Sequence, residues 1–457
     1  MDPSTEDACA VISLGGQADT DAAVAAARAA FEPWAFTPKE ERIAAIKRFY
    51  DIYKARAEDM AQAISMEMGA PIEMSRQQQV GAGLGHTKAF LTIYQDFEHE
   101  RMLGDHAPDD RILYDPIGVV GMITPWNWPM NQVTLKVIPA LLVGCTCILK
   151  PSEIAPLSSH LFAEIMDEAD LPKGVFNMVH GDGPGVGTQL STHPDIDMIS
   201  FTGSTRAGAL ISKAAADTFK RVSLELGGKG ANLVFADADE KAVKRGVLHV
   251  LNNSGQSCNA PTRMIVERSR YDAAVEEAAA VAQKMAVGSA HDEGRHMGPV
   301  VSETQFNKIQ DLIQKGMDEG ARLVAGGLGR PEGTNRGYFV RPTVFADVTN
   351  DMTIAREEIF GPVLSIMAFE DEDEDEAVRI ANDTPYGLTN YVQSGDGARR
   401  NRLARKLRAG MIEMNGQSRG MGSPFGGYKA SGNGREGGIW GLEEFCEVKA
   451  VSGWGAE

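Results

Sequence analysis

From Asp115 onward the chain switches repeatedly between two hydrophobic periods, and that alternation constrains its fold more than any other feature. Short β-rich runs ("GVVGMIT", "CTCILKP", "VFNMVHG", "DMISFTG", "RVSLELG", "ANLVF") are separated by helical segments such as "LSSHLFAEIMDEAD" and "RAGALISKAAADTF". Apolar strands alternating with helices are the pattern of βαβ units on a parallel sheet, so the expected class is α/β. A second α/β set starts at about Arg263, with "TRMIVE", "ARLVAGG", "YFVRPTVFAD" and "VLSIMAFE" as its strands. The segment before Asp115 reads instead as helix. "TDAAVAAARAAF" is one, and "KEERIAAIKRFYDIYKARAEDMAQAISMEMG" is a second, closed by Gly69 and Pro71.

A length of 457 residues suggests two or three domains. The formal net charge of −18 argues against a nucleic-acid or anionic-membrane partner, which needs a basic face. The opening "MDPSTEDACAV" lacks a basic region followed by an apolar one, so no secretory signal is expected. The longest apolar stretch, around "VIPALLVGCTCIL", is too short to span a bilayer and contains Pro139 and Gly144. Five cysteines make no disulfide framework, and a reducing cytoplasm fits them. Cys145 and Cys147 form a C-x-C in an apolar, β-branched run, a buried strand rather than a metal site, since no partner pair stands at ligand spacing. No metal is expected. The acidic "EDEDEDE" precedes the helical "AVRIAND", where acids complement the positive end of a helix dipole.

Cys258 stands apart from the other cysteines. Its neighbours in "NNSGQSCNAPTR" are Gly255, Gln256, Ser257, Asn259 and Pro261, which is loop chemistry around a thiol. "ISFTGSTRAG" places a strand, a turn through Gly203 and Ser204, and a helix, the arrangement that offers backbone N–H groups to a pyrophosphate. The strict G-x-G-x-x-G fingerprint fails because Thr205 takes the middle glycine position. Lys150 and Glu153 follow the strand in "ILKPSE", where a carboxylate can accept from ribose hydroxyls. Glu225 ends an apolar strand at Gly227-Gly228, and partial burial there raises a carboxyl pKa toward a general-base range. Asn127 sits between two tryptophans, a donor placed to meet a developing oxyanion.

In this order "TPWNWP", "LKPSE", "FTGST", "LELGGK", "GQSC", "EEIFGPV" and "PFGGYKASGNGRE" resemble the motifs of the aldehyde dehydrogenase superfamily over nearly the whole chain. The resemblance implies the hydrolytic, non-acylating type. Cys258 would be the nucleophile, passing through a thiohemiacetal and a thioester. The Asn127 amide and the Cys258 N–H would hold the oxyanion, and Glu225 would activate the hydrolytic water. Lys136 and Glu436 match a pair that either relays protons near Glu225 or is a buried salt bridge. For the cofactor, the resemblance implies contacts from Thr124, Pro125, Trp126, Lys150, Glu153, Gly203, Ser204, Leu226, Gly227, Glu358 and Phe360. The carboxylate of Glu153 favours NAD over NADP, because it would face a 2′-phosphate.

The fold so implied has a Rossmann-like NAD-binding domain (residues 1–95 and 116–227) and an α/β catalytic domain (residues 228–425). A β-flap oligomerisation element (residues 96–115 and 441–457) makes a homodimer or homotetramer the expected assembly. Relatives carry one or two strands ahead of "DPSTED" that this chain is expected to lack. The aldehyde tunnel would be walled by Trp128, Gln132, Ser257, Asn259 and Arg419. Arg419 either grips a carboxylate at the far end of a semialdehyde or ω-oxo acid, or pairs with a surface acid. Arg263 reads as structural. Two other functions share this fold: a coenzyme-A-acylating enzyme, and a catalytically silent binding or structural protein.

Overall fold

Two mostly parallel sheets carry the architecture in the computed structural model, which describes residues 1–455. The first sheet has five strands in the order Phe176–Met178, Thr146–Lys150, Val119–Ile123, Met198–Thr202, Arg221–Glu225, all parallel. Its three central strands are buried at every residue, which is why they read as unbroken apolar runs rather than alternating ones. The chain leaves Val119–Ile123 to one side and later returns beside it as Met198–Thr202. That reversal opens a crevice beyond the carboxyl ends of these two strands, where ligands of open α/β sheets bind.

The second sheet has seven strands in the order Arg322–Ala325, Thr343–Ala346, Val363–Phe369, Arg263–Glu267, Ala231–Val234, Thr389–Gln393, Met411–Met414. Only its first pair is antiparallel. "ANLVF", which the strand pattern groups with the first set, is therefore a central strand of this one. Thr389–Gln393 and Met411–Met414 were not expected as strands at all. The third sheet is an antiparallel flap of Glu100–Gly104, Ala107–Pro116 and Cys446–Val451. Residues 456 and 457 of the expected flap lie outside the described residues, and among those described no strand precedes Glu100.

The N-terminal helices run Gln17–Ala35, Lys39–Ala55 and Ala57–Met68. The single long helix expected over the last two is broken at Arg56, whose φ of −97° and ψ of 21° end one helix and admit the next. Gly69 closes the third in the left-handed region at φ 82°, as expected. The acidic run starts the helix Glu374–Asn382, with the Asp373 carboxylate accepting from the Glu376 N–H at 2.8 Å. Arg263 is fully buried and spends its guanidinium on backbone carbonyls of Lys229, Ile380 and Ala381, a structural role.

One helix positions the site. Pro129–Val143 starts with proline at its first turn and stops at Gly144, left-handed at φ 107°. It is buried on almost every side, so its polar residues are enclosed. Trp128, Gln132 and Lys136 follow at four-residue spacing, which stacks them on one face.

Candidate active site

Loops beyond the carboxyl ends of Val119–Ile123, Met198–Thr202 and Arg221–Glu225 meet loops ahead of Arg263–Glu267 and Val363–Phe369 around one cleft, and Cys258 lies there. Two clefts meet at its thiol. The first, of about 210 Å³, is walled by Pro125, Trp126, Gly203, Ser204, Leu226, Gly227, Glu358 and Phe360. The second, of about 380 Å³, is walled by Trp128, Asn259, Arg419, Phe425 and His86. Gln132 and Cys258 line both.

Burial pushes the Cys258 thiol up to about 12, helped by the carboxylates of Glu358, Glu225 and Glu436. The resting cysteine is therefore a protonated thiol, and its chemistry needs a base. The Cys258 backbone N–H faces its own sulfur. Asn127 is buried and donates one amide hydrogen to the Gln256 carbonyl at 3.0 Å, leaving the second for a ligand. Its own carbonyl accepts from Asn253 Nδ2 at 2.9 Å and Gln79 Nε2 at 3.2 Å, so the residue is braced on two sides.

Glu225 is buried with neither carboxylate oxygen partnered. Burial raises its pKa well above the ordinary 4.5, Glu436 adds to the rise, and Lys136 opposes it. It lines neither cleft in this conformer. Its carboxyl lies over Gly426 and Gly434, where an added Cβ would stand 2.8 Å from Oε1 at either position. Part of the glycine content of "PFGGYKASGNGRE" thus makes room for this side chain. Lys136 and Glu436 form a buried ion pair, with Glu436 Oε2 left unpartnered.

Ser204 caps the helix Thr205–Ala215, its hydroxyl accepting from the Ala207 N–H at 3.3 Å, and the start of that helix opens on the first cleft. Glu358 Oε1 accepts from the Gly228 N–H at 2.8 Å. The carboxyl lies so close to Gly227 that a Cβ there would sit 2.3 Å from Oε2. Phe360 holds a left-handed φ of 59° and meets Trp126 edge-on at 5.4 Å. Two residues not foreseen hold that strained segment: Gln305 Nε2 donates to the Phe360 carbonyl at 2.7 Å and Lys308 Nζ to the Glu358 carbonyl at 2.9 Å. Both line the first cleft, yet both sit on the amphipathic helix Glu303–Asp318, where they look like any exposed polar residue. A cleft at a sheet reversal, with free helical N–H groups and glycine where a side chain would block entry, fits a dinucleotide.

Lys150 and Glu153 pair with each other at 3.1 Å and line neither cleft; Thr124 is buried, its N–H donating to the Lys150 carbonyl. Ser257 does not face the second cleft as expected. Its hydroxyl accepts the Trp128 indole N–H at 2.8 Å, so it holds the cleft wall from behind. Asn259 does line that cleft, its carbonyl accepting from the Tyr391 hydroxyl at 2.6 Å. Arg419 pairs with Glu413, Nε to Oε1 at 3.0 Å, and lies 5.0 Å over the Phe425 ring. Of the two readings for Arg419, pairing with an acid is the one observed, although that acid is largely buried rather than on the surface.

The family model described as "Aldehyde dehydrogenase family" matches residues 1–451. A 3-succinoylsemialdehyde-pyridine dehydrogenase from Pseudomonas sp is 50% identical over 456 residues, 99% of this chain and 94% of the relative. Among solved structures, an aldehyde dehydrogenase from Bartonella henselae superposes with a TM-score of 0.98 at 60% identity, covering 99% of this chain and 94% of that one. A cysteine-to-alanine mutant of Aldehyde Dehydrogenase C from Pseudomonas syringae, in complex with NAD+ and octanal, gives 0.97 at 48%, covering 100% and 93%.

Proposed function

The chain belongs to the aldehyde dehydrogenase family, and from that premise we propose that it oxidises an aldehyde to the carboxylic acid with NAD, through a covalent adduct on Cys258. The observation that carries this reading is the position of Cys258 at the junction of the two clefts, one shaped for a dinucleotide and one for a substrate. The first cleft's Gly203, Ser204, Leu226, Gly227, Glu358 and Phe360 would hold the cofactor, with Lys150 and Glu153 at its adenosine ribose. When bound, NAD supplies the two-electron acceptor for hydride.

The thiol proton would pass through water in the open cleft to solvent as Sγ bonds to the aldehyde carbon, giving a thiohemiacetal whose oxyanion receives the free Asn127 amide hydrogen and the Cys258 N–H. An oxyanion contact of this kind contributes about 3–4 kcal/mol. Oxidation of that adduct leaves a thioester on Cys258. Glu225 then takes a proton from water as its oxygen attacks the thioester carbon, and the acid departs with the thiol restored. The raised proton affinity of Glu225 and its unpartnered oxygens support this role, which requires the side chain to turn from its glycine niche toward the thioester. The buried Lys136–Glu436 pair lies beside Glu225 and would pass that proton onward.

The second cleft is apolar at Trp128 and Phe425 and polar at Gln132, Asn259 and Arg419. An aldehyde with a polar group at its far end, a semialdehyde or ω-oxo acid, suits that lining. Arg419 uses only Nε on Glu413, leaving its two terminal nitrogens for such a group. The flap exposes Met102, Leu103 and Val448, and its long edges favour pairing with a second copy of the chain. The test is absorbance of reduced nicotinamide with NAD or NADP, neutral aldehydes and ω-oxo acids, with and without coenzyme A. Turnover with NAD alone supports the reading. Turnover only with coenzyme A would replace it by the acylating reaction, and NAD binding without turnover on any aldehyde would favour the silent protein.

A further inference from the structure

The catalytic loop has a second face. Asn252, Asn253 and Ser254 line a groove of about 860 Å³, about four times the cleft that holds Cys258 on its other side. The groove has an apolar floor of Leu248, Leu251, Val281 and Met285, and Lys244, Lys284 and Arg295 stand around it. None of these three cations makes an ion pair among the described residues. Glu73 and Glu277 also face the groove, but Glu73 already accepts the Gly294 N–H at 3.3 Å. Three cations against two carboxylates leave this apolar-floored hollow with a small positive excess, in a chain of net charge −18.

The loop between groove and thiol is strained. Asn253 and Ser254 are left-handed at φ 51° and 55°, a conformation that costs an L-residue about 1 kcal/mol or more. The Asn253 backbone carbonyl accepts from the Gln256 N–H at 3.0 Å and Nε2 at 3.1 Å, but its side-chain amide is held on one edge only. Its Nδ2 donates to the Asn127 carbonyl at 2.9 Å and the Gln256 carbonyl at 3.2 Å, while its buried Oδ1 has no partner. The Gln256 carbonyl in turn accepts the Asn127 amide. On the facing wall Ser75–Gln79 is a π-helical turn, a form that concentrates at functional sites, and its Gln78 accepts from Asn252 at 3.1 Å. Ser254 Oγ donates to the Gly298 carbonyl on the third wall at 2.8 Å.

We propose that this groove binds a small organic anion with an apolar body, of the size and chemistry of a medium-chain carboxylate, and that its occupancy displaces Asn253 and thereby Asn127. The head group would meet Lys244, Lys284 and Arg295, and the chain would lie on Leu248, Leu251 and Val281. The product class of the reaction carries the same chemistry, so the site would act as a negative effector site. The binding claim stands apart from the catalytic reading, whereas the coupling to Asn127 rests on it.

The experiment titrates the whole enzyme with octanoate, with acetate (charge without body) and with octanol (body without charge). Calorimetry and steady-state kinetics are both read, on wild type and on Lys244→Glu/Lys284→Glu, two exposed positions outside the catalytic machinery. Octanoate is expected to bind the wild type and lower kcat about fivefold or more with KM for aldehyde unchanged. The double variant should keep its basal kcat and lose both effects. Octanoate inhibition that only raises KM, or that persists in the double variant, places the anion in the substrate cleft and overturns the proposal. An enzyme silent on every aldehyde would undo the catalytic reading alone, since calorimetry still reports whether the groove is filled.

Discussion

Trp128 donates its indole N–H to the Ser257 hydroxyl at 2.8 Å, which ties the wall of the substrate cleft to the residue beside the nucleophile. Ser257→Ala removes that acceptor and leaves a half-buried indole N–H unpaired, a loss of about 1 kcal/mol. The expected outcome is a kcat/KM for aldehyde lowered about fivefold, because a loosened wall misplaces the substrate. The rate of Cys258 alkylation should stay within about twofold, since the loop carrying Cys258 keeps its other contacts.

Glu225 ties stability and turnover to one carboxyl. Below its ordinary 4.5 it is protonated in both folded and unfolded chains, and its contribution to stability is complete there. Above that value the unfolded chain ionises first, so the folded state binds more protons and stability falls as pH rises through the raised folded pKa. Glu225→Gln cannot ionise. Its melting temperature should exceed that of the wild type by a margin that widens from pH 4.5 upward. The same variant should release one equivalent of reduced cofactor per site and then stall at the thioester; unchanged steady turnover would remove Glu225 from the hydrolysis step.

Cys258 is expected to react as a thiol with its pKa near 12 in the cofactor-free protein. Thiolate content then climbs about tenfold per pH unit, so iodoacetamide should alkylate Cys258 increasingly fast from pH 7 to 10 without a plateau. A plateau below pH 9 would mean that the thiol is not held up by burial and the surrounding carboxylates.

Gly227 and Glu358 lie against each other in the wall of the first cleft. A Cβ at 227 would lie 2.3 Å from Glu358 Oε2 and force it off the Gly228 N–H. Gly227→Ala should therefore weaken NAD binding about tenfold or more, equal to about 1.4 kcal/mol, as read by titration of protein fluorescence. Equal affinity in the variant would show that Glu358 does not shape the cofactor site.

Strands buried on both faces, such as Val119–Ile123, announce themselves as apolar runs, and ten of the expected strands are present. Thr389–Gln393 escaped because three of its five residues are polar: the Asn390 side-chain oxygen accepts from the Ala231 N–H at 2.9 Å, and Gln393 donates to Asn232 at 3.0 Å. Polar groups satisfied across a sheet look like loop residues in a hydrophobicity pattern. The break at Arg56 was hidden because apolar spacing continues through it, while the backbone turns. Within the site, the resemblance pointed to Cys258, Asn127 and Gln132, which the structure brings to one cleft. Gln305 and Lys308 were not legible, since their task is to hold the carbonyls of a loop some fifty residues away, which leaves no local signature. Ser257 was misread for a related reason: its neighbour in sequence faces the cleft, but its own hydroxyl is claimed by Trp128.

The most direct test of the account is the mass of Cys258 during turnover. Enzyme mixed with NAD and aldehyde, quenched in acid within the first turnovers and digested, should show the acyl mass on the peptide containing Cys258. The adduct should accumulate further in Glu225→Gln and be absent, with turnover, in Cys258→Ala. Turnover persisting in Cys258→Ala, or an adduct on another residue, would contradict the assignment of Cys258 as the nucleophile.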